Sequence, residues 1–483
     1  MLQIVLKTLG SKLAAHCQSS LLFRNLAKIP RTSLKMNISF YTLGCKLNYA
    51  ETSQLREQFE KLGHTIVEFG EPTDAVLINT CTVTENADTE CRKIIRRALR
   101  TSPNAFVGVT GCYAQLQPEE IASVEGVDAV FGAQEKFKIP QIINDFTKRE
   151  TPQIFVNEFS DEIEFVGAKS GDNDSRTRAV FKIQDGCNYN CSFCTIPLAR
   201  GGSRSMDFAK IEETFKDLEK SGYSEIVLSG INLGDYTGRG GEKFTDVVKL
   251  IDSLDTNARV RISSIEPNLL KPQILDTVAQ SEVFCPHFHI PLQSGSPEVL
   301  KMMRRRYKVS YYEELIYNIK AVMPHCCIGV DVIVGFPGET DEFFEETYNF
   351  LTTLPISYLH VFTYSERENT PAAVFENKIP LQVKKARTNR LRALSAFKKS
   401  EFYASQIGCE RTVIPEMYNT ETGRWVGFTE NYVRVEFPAP AVLIQKPMRV
   451  VLKEMLGEHV LAELTQTEFL KEENFPEYIS ILV

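Results

Sequence analysis

The chain has 483 residues, 43% of them hydrophobic, and a formal net charge of −7. This length favours about three domains, and the negative charge excludes a uniformly basic nucleic-acid-binding protein, so any RNA contact depends on local clusters of Lys and Arg. No apolar run approaches the roughly 20 residues that span a bilayer, and twelve cysteines in so long a chain favour a reducing, cytoplasmic location without membrane contact over a disulfide-rich secreted protein.

Residues 1–35 contain several Lys and Arg residues and no acidic residue. This composition resembles an amphipathic transit segment. The alternative is an untargeted upstream extension or a misplaced start, and it is favoured because Met36 directly precedes a strand-like opening at residues 37–41. We therefore expect the fold to begin at residue 36.

From residue 36 to about residue 150, short β-branched or aromatic runs alternate with longer amphipathic segments, which is typical of βα units on a parallel sheet. The predicted strands are Ile38–Tyr41, Val76–Asn79, Phe106–Thr110 and Ala129–Phe131. A polar stretch between Ile142 and Arg178, with a loop-like segment at residues 170–175, marks the end of this unit. The pattern predicts a doubly wound α/β domain.

Residues 173–404 hold a second alternating series, which predicts a partial (βα)6 barrel with its chemistry at the C-terminal ends of the strands. The predicted strands are Ala179–Ile183, Glu225–Ser229, Val260–Ser263, His287–Pro291, Cys327–Val334 and Tyr358–Tyr364. After a basic helical stretch at 383–401, residues 405–470 hold short strands separated by turns, which predict a small antiparallel β-barrel. The predicted fold class is α/β with this added barrel.

Cys187, Cys191 and Cys194 form a C-x3-C-x2-C motif in the loop after the first strand of the second domain. A [4Fe–4S] cube held by three thiolates keeps one iron open to a small molecule. A zinc site is the alternative, but zinc usually takes paired C-x2-C groups with a fourth ligand. The motif therefore favours an iron–sulfur cluster.

Cys45, Cys81 and Cys112 are far apart in the sequence, as buried structural thiols often are. Each of them, however, follows the end of a predicted strand, where open α/β sheets bind ligands. The residues alone leave a second cluster and structural thiols as open alternatives. The other cysteines have no such placement and are interpreted as ordinary; they are Cys17, Cys91, Cys285, Cys326, Cys327 and Cys409.

From about residue 36 to about residue 464 the chain resembles the methylthiotransferase branch of the radical S-adenosylmethionine (SAM) enzymes. The matching motifs are Thr42–Asn48, Asn79–Thr84, Gly111-Cys112, Gly186–Cys194, Ile196-Pro197 and Arg200-Gly201, followed by a stretch similar to the TRAM RNA-binding domain. The resemblance implies two [4Fe–4S] clusters. One would be held by Cys187, Cys191 and Cys194, and an auxiliary one by Cys45, Cys81 and Cys112.

The resemblance also implies the chemistry. In that family the open iron chelates SAM, and reductive cleavage gives a 5′-deoxyadenosyl radical that removes hydrogen from an unactivated C–H bond. The auxiliary cluster supplies or carries the sulfur, and a second SAM donates the methyl group. The implied partners are an electron donor of the flavodoxin or ferredoxin type and a sulfur source.

Six further positions follow barrel strands, where family members hold the methionine and ribose parts of SAM. They are Gly230, Asn232, Arg261, Glu266, Gln293 and Gly335. The alternative for each position is a strand-end turn or a solvated polar group.

The family acts on isopentenyladenosine in tRNA, on N6-threonylcarbamoyladenosine in tRNA, or on an aspartate of a ribosomal protein. Residues 45–48, 82–88 and 182–187 resemble the threonylcarbamoyladenosine subgroup. This resemblance implies methylthiolation at C2 of the modified adenosine next to the anticodon. The alternative from another class is a metal-stabilised RNA-binding protein without catalytic activity.

Basic clusters border the inferred sites. Arg92, Arg96 and Arg100 fall on one helical face, and further clusters lie at residues 304–306, 384–387 and 398–399. A charge run is usually a solvated face, but a following RNA-binding-like barrel favours contact with the phosphates of a tRNA anticodon loop.

Overall fold

The computed structural model describes residues 35–81, 85–143, 145–159, 165–169, 177–439 and 446–465. Nearly all of the predicted extension at 1–35, the predicted loop at 170–175 and motif residues 82–84 lie outside the described residues. Within the described ranges, no helix has both the length and the apolar character needed to cross a bilayer.

The first domain is a parallel sheet with helices between its strands. The strands are β1 (Asn37–Thr42), β2 (Thr65–Val67), β3 (Ala75–Thr80), β4 (Phe106–Gly111), β5 (Ala129–Phe131) and β6 (Gln153–Phe155), and the helices are α1 (Lys46–Lys61), α2 (Glu85–Thr101), α3 (Cys112–Leu116), α4 (Pro118–Ala122) and α5 (Ile139–Ile142). The sheet order is β2-β1-β3-β4-β5-β6. The central strands β3 and β4 are buried along their whole length, as expected for a sheet covered on both faces.

The second domain is a partial barrel. Its strands are β7 (Ala168–Lys169), β8 (Arg178–Lys182), β9 (Gln184–Asp185), β10 (Arg204–Ser205), β11 (Glu225–Ser229), β12 (Arg259–Ile262), β13 (His287–His289), β14 (Cys327–Val334) and β15 (Tyr358–Thr363). Its helices are α6 (Ile196–Arg200), α7 (Ala209–Lys220), α8 (Phe244–Asp252), α9 (Pro272–Gln280), α10 (Pro297–Met302), α11 (Val309–Val322), α12 (Asp341–Thr353) and α13 (Leu381–Ala404).

Six parallel strands form the wall of this partial barrel, in the chain order that the sequence predicts. β8, β11 and β12 pair in one half, and β13, β14 and β15 pair in the other. Isolated bridges from Val260 to Phe284 and from Ser264 to His289 connect the halves. Because the strands are parallel, the loops that follow them open at one end of the barrel.

The third domain is a closed barrel of β16 (Glu410–Asn419), β17 (Arg424–Thr429), β18 (Arg434–Pro438), β19 (Met448–Leu456) and β20 (His459–Leu464). Four pairings are antiparallel. The pairing of β18 with β20 is parallel, which corrects the wholly antiparallel expectation. The hairpin of β19 and β20 closes the barrel by pairing β20 with β18. The prediction failed because the sequence of a short strand does not show whether it pairs parallel or antiparallel with a strand that is not its neighbour in the chain.

Buried arginines connect the second domain to the third through hydrogen bonds. Arg259 and Arg261 donate to the Glu225 carboxylate at 2.6 and 2.9 Å. The same guanidinium groups donate to backbone carbonyls of the third domain, at 3.0 Å to Thr412 and 3.0 Å to Glu430. These cations lower the pKa of Glu225 well below its usual value despite burial, which acts in the opposite direction. A buried charge costs several kcal/mol unless it is paired, so this cluster fixes how the barrels meet.

Candidate active site

The three dispersed cysteines lie at one edge of the first sheet. Cys45 follows β1, Cys81 follows β3 and Cys112 follows β4, and these strands are adjacent in the order β1-β3-β4. Because parallel strands end at the same edge, the fold brings together three loops that are distant in the sequence.

Two glycines let these loops approach closely. A Cβ atom on Gly44 would lie 2.5 Å from the Cβ and 2.8 Å from the Sγ of Cys81. A Cβ atom on Gly111 would lie 2.3 Å from the Thr80 carbonyl oxygen. Both glycines have positive φ, +105° and +107°, which other residues rarely adopt. The close approach of the loops that carry Cys45, Cys81 and Cys112 therefore depends on these two glycines.

The contiguous cysteines lie in the loop between β9 and α6. The Tyr189 N–H donates to the Cys187 Sγ at 3.3 Å, and the Cys194 N–H donates to the Cys191 carbonyl at 3.2 Å, so the loop curls around its own thiols. Burial raises the pKa of the Cys187 thiol and raises that of Cys194 to about 12, with a further contribution from the neighbouring thiols. Because metal ligation requires thiolates, cluster assembly here would release protons.

Within the described residues, no group of three or more His, Cys, Asp or Glu side chains is placed to hold a single metal ion. Three thiolates that each bind a different iron of a cube stand further apart than the ligands of one ion.

The surroundings of the contiguous trio fit an anionic cluster with a small-molecule ligand. Arg305 donates from Nη1 to the Cys191 Sγ at 3.2 Å, and its Nη2 contacts Glu266. The Asn232 Nδ2 lies 3.8 Å from the Cys187 Sγ. Among the described residues, the buried Oδ1 of Asn232 has no hydrogen-bond partner. A cation balances thiolate charge, and an unsatisfied buried acceptor favours a ligand that donates to it.

A cavity of about 230 Å³ lies beside Cys194 and is also lined by Gln293, Asp331 and Ile333. Gln293 has a φ of +68°, an uncommon conformation for a residue other than glycine that is enriched at ligand sites. The Asp331 Oδ1 lies 2.7 Å from the His289 Nε2. The cavity thus combines an apolar wall with a few fixed polar groups, as ligand sites usually do.

The other predicted cofactor contacts differ in whether the structure leaves them available to a ligand. A Cβ atom on Gly230 would lie 2.9 Å from the Gln184 Oε1, and Gly335, with φ +78°, donates its N–H to Glu339 at 2.7 Å. Gly335 requires glycine because of its positive φ, whereas Gly230 is in close contact with the Gln184 side chain. Arg261 instead uses its donors on Glu225 and on the third domain. These contacts favour a docking role for Arg261 over the predicted cofactor contact.

The side chains of three residues in the predicted basic clusters are buried and cannot reach a phosphate, so the prediction is wrong for these three residues. Arg305 is beside Cys191, Arg387 pairs with Glu339 and Asp341, and Lys398 donates to backbone carbonyls. On α2, by contrast, Arg96 and Arg100 are exposed, whereas Arg92 pairs with Glu120.

Sequence reasoning assigned no role to the residues that join the two trios. Asn48, Glu51, Asp185 and Arg200 form a buried hydrogen-bonded group between α1 and the second domain. Asn48 and Arg200 lie within recognised motifs. The signal for Glu51 is its position one helical turn after Asn48 on the buried face of α1.

Comparison with known proteins gives a consistent result. The Radical SAM superfamily model matches residues 181–351, and the model of the uncharacterized protein family UPF0004 matches residues 37–132. Threonylcarbamoyladenosine tRNA methylthiotransferase MtaB of Bacillus subtilis is 41% identical over 86% of this chain and 93% of its own, and the protein of the same name from Aquifex aeolicus is 38% identical over 83% and 96%.

More distant matches include tRNA-2-methylthio-N(6)-dimethylallyladenosine synthase of Clostridium botulinum, which is 32% identical over 82% of this chain and 90% of its own. Among solved structures, the radical SAM methyltransferase TsrM of Kitasatospora setae superposes with a TM-score of 0.52 at 15% identity, covering 71% of this chain and 77% of that one. At this identity the structural match shows the fold alone.

Proposed function

This chain belongs to the radical SAM methylthiotransferase family, and from that premise we propose that it attaches a methylthio group to C2 of N6-threonylcarbamoyladenosine in a tRNA anticodon loop. The observation that carries this choice is the 41% identity to a relative named for that substrate. Relatives named for dimethylallyladenosine reach 32%.

In this proposal Cys187, Cys191 and Cys194 hold one [4Fe–4S] cluster, and Cys45, Cys81 and Cys112 hold the other. When bound, the two clusters and SAM would supply the electron, the hydrogen-abstracting radical and the methylthio group. Support comes from the convergence of each trio in the fold and from the Arg305 guanidinium at the Cys191 thiol.

The residues between the trios fit the polar substituent of the proposed substrate. Lys46 follows Cys45 at the start of α1, and although part of the residue reaches the surface, desolvation of its ammonium and the nearby Arg261 and Arg178 lower its pKa to about 8. Burial first, and then nearby cations that include Lys46, lower the pKa of His287 in β13 and of His360 in β15, so the charge of the Lys46 ammonium acts near these two strands. It would pair with the carboxylate of the threonylcarbamoyl group. An isopentenyl group offers no charge to this lysine.

Two further residues, Asp331 and His289, would recognise the carbamoyl part of the substrate through hydrogen bonding. Asp331 lines the cavity beside Cys194, and His289 holds it, while Ser264 lies 2.6 Å from the His289 Nδ1. A carboxylate fixed in this way accepts a hydrogen bond from an amide N–H. The proposed partners are thus a tRNA carrying this adenosine, an electron donor of the flavodoxin or ferredoxin type and a source of sulfide.

The test is an assay of the reconstituted protein with SAM, a reductant and sulfide on three anticodon stem-loops that carry unmodified adenosine, isopentenyladenosine or threonylcarbamoyladenosine. Mass spectrometry of the nucleosides should show the methylthio product from the threonylcarbamoylated RNA. Transfer to isopentenyladenosine or to a ribosomal protein, with none to threonylcarbamoyladenosine, would overturn the proposal.

A further inference from the structure

The Glu51 carboxylate is the centre of a buried ion cluster where α1 meets the second domain. It accepts from Lys136 at 2.5 Å, from Lys182 at 3.0 Å and from Arg200 at 2.8 Å. No side chain of this group is more than 3% exposed. Separating charges this deeply buried from their partners is costly, so the cluster holds the two domains in one arrangement.

Arg200 extends this cluster to the dispersed trio through Asn48. Its Nη2 donates to the Asn48 Oδ1 at 2.7 Å. The Asn48 Nδ2 in turn donates to the carbonyl oxygens of Leu43 at 2.8 Å and of Thr80 at 3.0 Å. Leu43 lies two residues before Cys45, and Thr80 directly precedes Cys81. One amide therefore ties two of the three loops together, and the guanidinium fixes that amide.

The same guanidinium reaches the contiguous trio. The Arg200 Nη1 donates to the Asp185 Oδ1 at 3.1 Å, and Asp185 lies two residues before Cys187. The carbonyl oxygen of Gly201, the residue after Arg200, accepts from the Cys187 N–H at 3.1 Å. Arg200 is thus a single buried side chain that donates both to Asn48, which holds two loops of the dispersed trio, and to Asp185, which directly precedes the loop of the contiguous trio.

We propose that Arg200 and Asn48 are positioning residues that set the separation and orientation of the two cysteine trios. The inference rests on the proposed function in one respect, that both trios hold clusters. Its functional reason is that both sites must act on one adenosine, and misplacement of reacting groups by about 1 Å can cost about 100-fold in rate. Neither side chain need touch the substrate for this role.

Lys136 provides a matched control. It pairs with the same Glu51 carboxylate and is equally buried, but within the part of the chain that the structure describes it forms no hydrogen bond or ion pair with Asn48 or Asp185. Lys136→Met and Arg200→Met each remove one buried cation from the same cluster. A purely structural role predicts the same consequence for both variants, whereas a positioning role predicts a difference.

The experiment measures the magnetic dipolar interaction between the two reduced clusters by pulsed electron paramagnetic resonance on the reconstituted holoenzyme. The variants are Arg200→Met, Asn48→Ala, Arg200→Lys and Lys136→Met, each with iron content and thermal stability measured in parallel. Asn48→Ala keeps the ion cluster intact, so it tests the connection even if Arg200→Met does not fold. The ratio of methylthio product to 5′-deoxyadenosine is the second readout.

The expected result is a shifted or broadened dipolar splitting in Arg200→Met and Asn48→Ala, an unchanged splitting in Lys136→Met and partial recovery in Arg200→Lys. The product ratio should fall about 10-fold or more in the first two variants only, for the geometric reason above. A splitting in Asn48→Ala identical to wild type overturns the inference, as does an equal change in Lys136→Met.

These outcomes separate the inference from the proposed function. A wild-type protein that shows the dipolar splitting but modifies another substrate overturns the proposed substrate and supports the positioning role if the variants behave as expected. A wild-type protein with one cluster overturns both.

Discussion

The two cysteine trios are built in opposite ways. Cys187, Cys191 and Cys194 share one loop that bonds to its own thiols, whereas Cys45, Cys81 and Cys112 come from three loops that only the strand order β1-β3-β4 brings together. The contiguous trio therefore depends on local loop conformation. The dispersed trio depends on the whole first sheet, on two glycines and on the Asn48 amide.

The largest expected effects come from removing each trio in turn. Cys191→Ala should abolish both 5′-deoxyadenosine formation and methylthiolation, because SAM cleavage needs the cluster of the contiguous trio. Cys81→Ala should abolish methylthiolation and leave 5′-deoxyadenosine formation within a few-fold of wild type. Liquid chromatography of the reaction mixture measures both products.

Cys91→Ala is the control for this pair, because Cys91 is buried in the core of the first domain and belongs to neither trio. It should retain both activities. Loss of 5′-deoxyadenosine formation in Cys81→Ala would contradict the separation of roles.

The next effect tests the dependence of the dispersed trio on close loop packing. Gly111→Ala places a Cβ 2.3 Å from a backbone oxygen at φ +107°. Backbone strain of about 1–3 kcal/mol and overpacking of about 1–3 kcal/mol should lower the free energy of unfolding and remove iron from the auxiliary site. Denaturant titration and iron analysis measure these changes.

Gly63→Ala is the matched control, since Gly63 has φ +90° and no heavy atom near the added Cβ. It should show the backbone strain alone and keep its iron. Equal losses of stability in the two variants would show that the Thr80 contact is unimportant.

A third effect should be independent of both trios. His287 is buried at the junction of the second and third domains, where its Nε2 lies 3.1 Å from the Tyr358 hydroxyl. Burial first, and then Arg261, hold the pKa of His287 well below its usual value. The folded protein keeps this imidazole neutral, while the unfolded chain takes up a proton below about pH 6.5. The free energy of unfolding should therefore fall by up to about 1.4 kcal/mol per pH unit on acidification below that point.

Denaturant titrations at pH 7.0 and 5.5 measure this slope. His287→Gln should show a smaller loss over the same interval, with the iron content of both trios unchanged at pH 7. An identical slope in the variant would assign the pH dependence to other groups.

The smallest expected effect concerns tRNA binding. Arg96→Gln with Arg100→Gln removes two exposed cations of α2 and should weaken tRNA binding without changing iron content. Each lost phosphate contact should reduce the slope of log affinity against log salt by about 1. Lys216→Gln, on an exposed helix pair with Glu212, is the control, and equal weakening by this variant would remove the α2 face from the RNA interface.

The contrast between the trios also explains how far the sequence could be interpreted. The strands β1, β3, β4 and β5 and the six barrel strands were predictable because each is a distinct hydrophobic run between turns. Strands β2 and β6 are the edge strands of the first sheet and none of their residues is fully buried, so neither strand needs the apolar run that marks a buried strand in the sequence.

Within the site, the contiguous trio was predictable from the spacing of its C-x3-C-x2-C motif. The dispersed trio has no such motif: the predicted strand ends only suggested it, and the family resemblance alone identified its three cysteines as cluster ligands. The burial of Arg305 and Arg387 could not be predicted, because the sequence around a charged residue in a basic run does not show that it pairs with a carboxylate distant in the chain. Asn48 and Arg200 acquire their connection only when α1 is packed against the second domain.

The central claim is that the two trios hold separate clusters. Iron and sulfide analysis of reconstituted wild-type protein and of the triple variant Cys45→Ala, Cys81→Ala, Cys112→Ala tests it most directly. The account predicts that the triple variant retains about half of the wild-type iron and sulfide, in a [4Fe–4S] form. Retention of all of the iron, or loss of nearly all of it from a folded variant, would contradict the account.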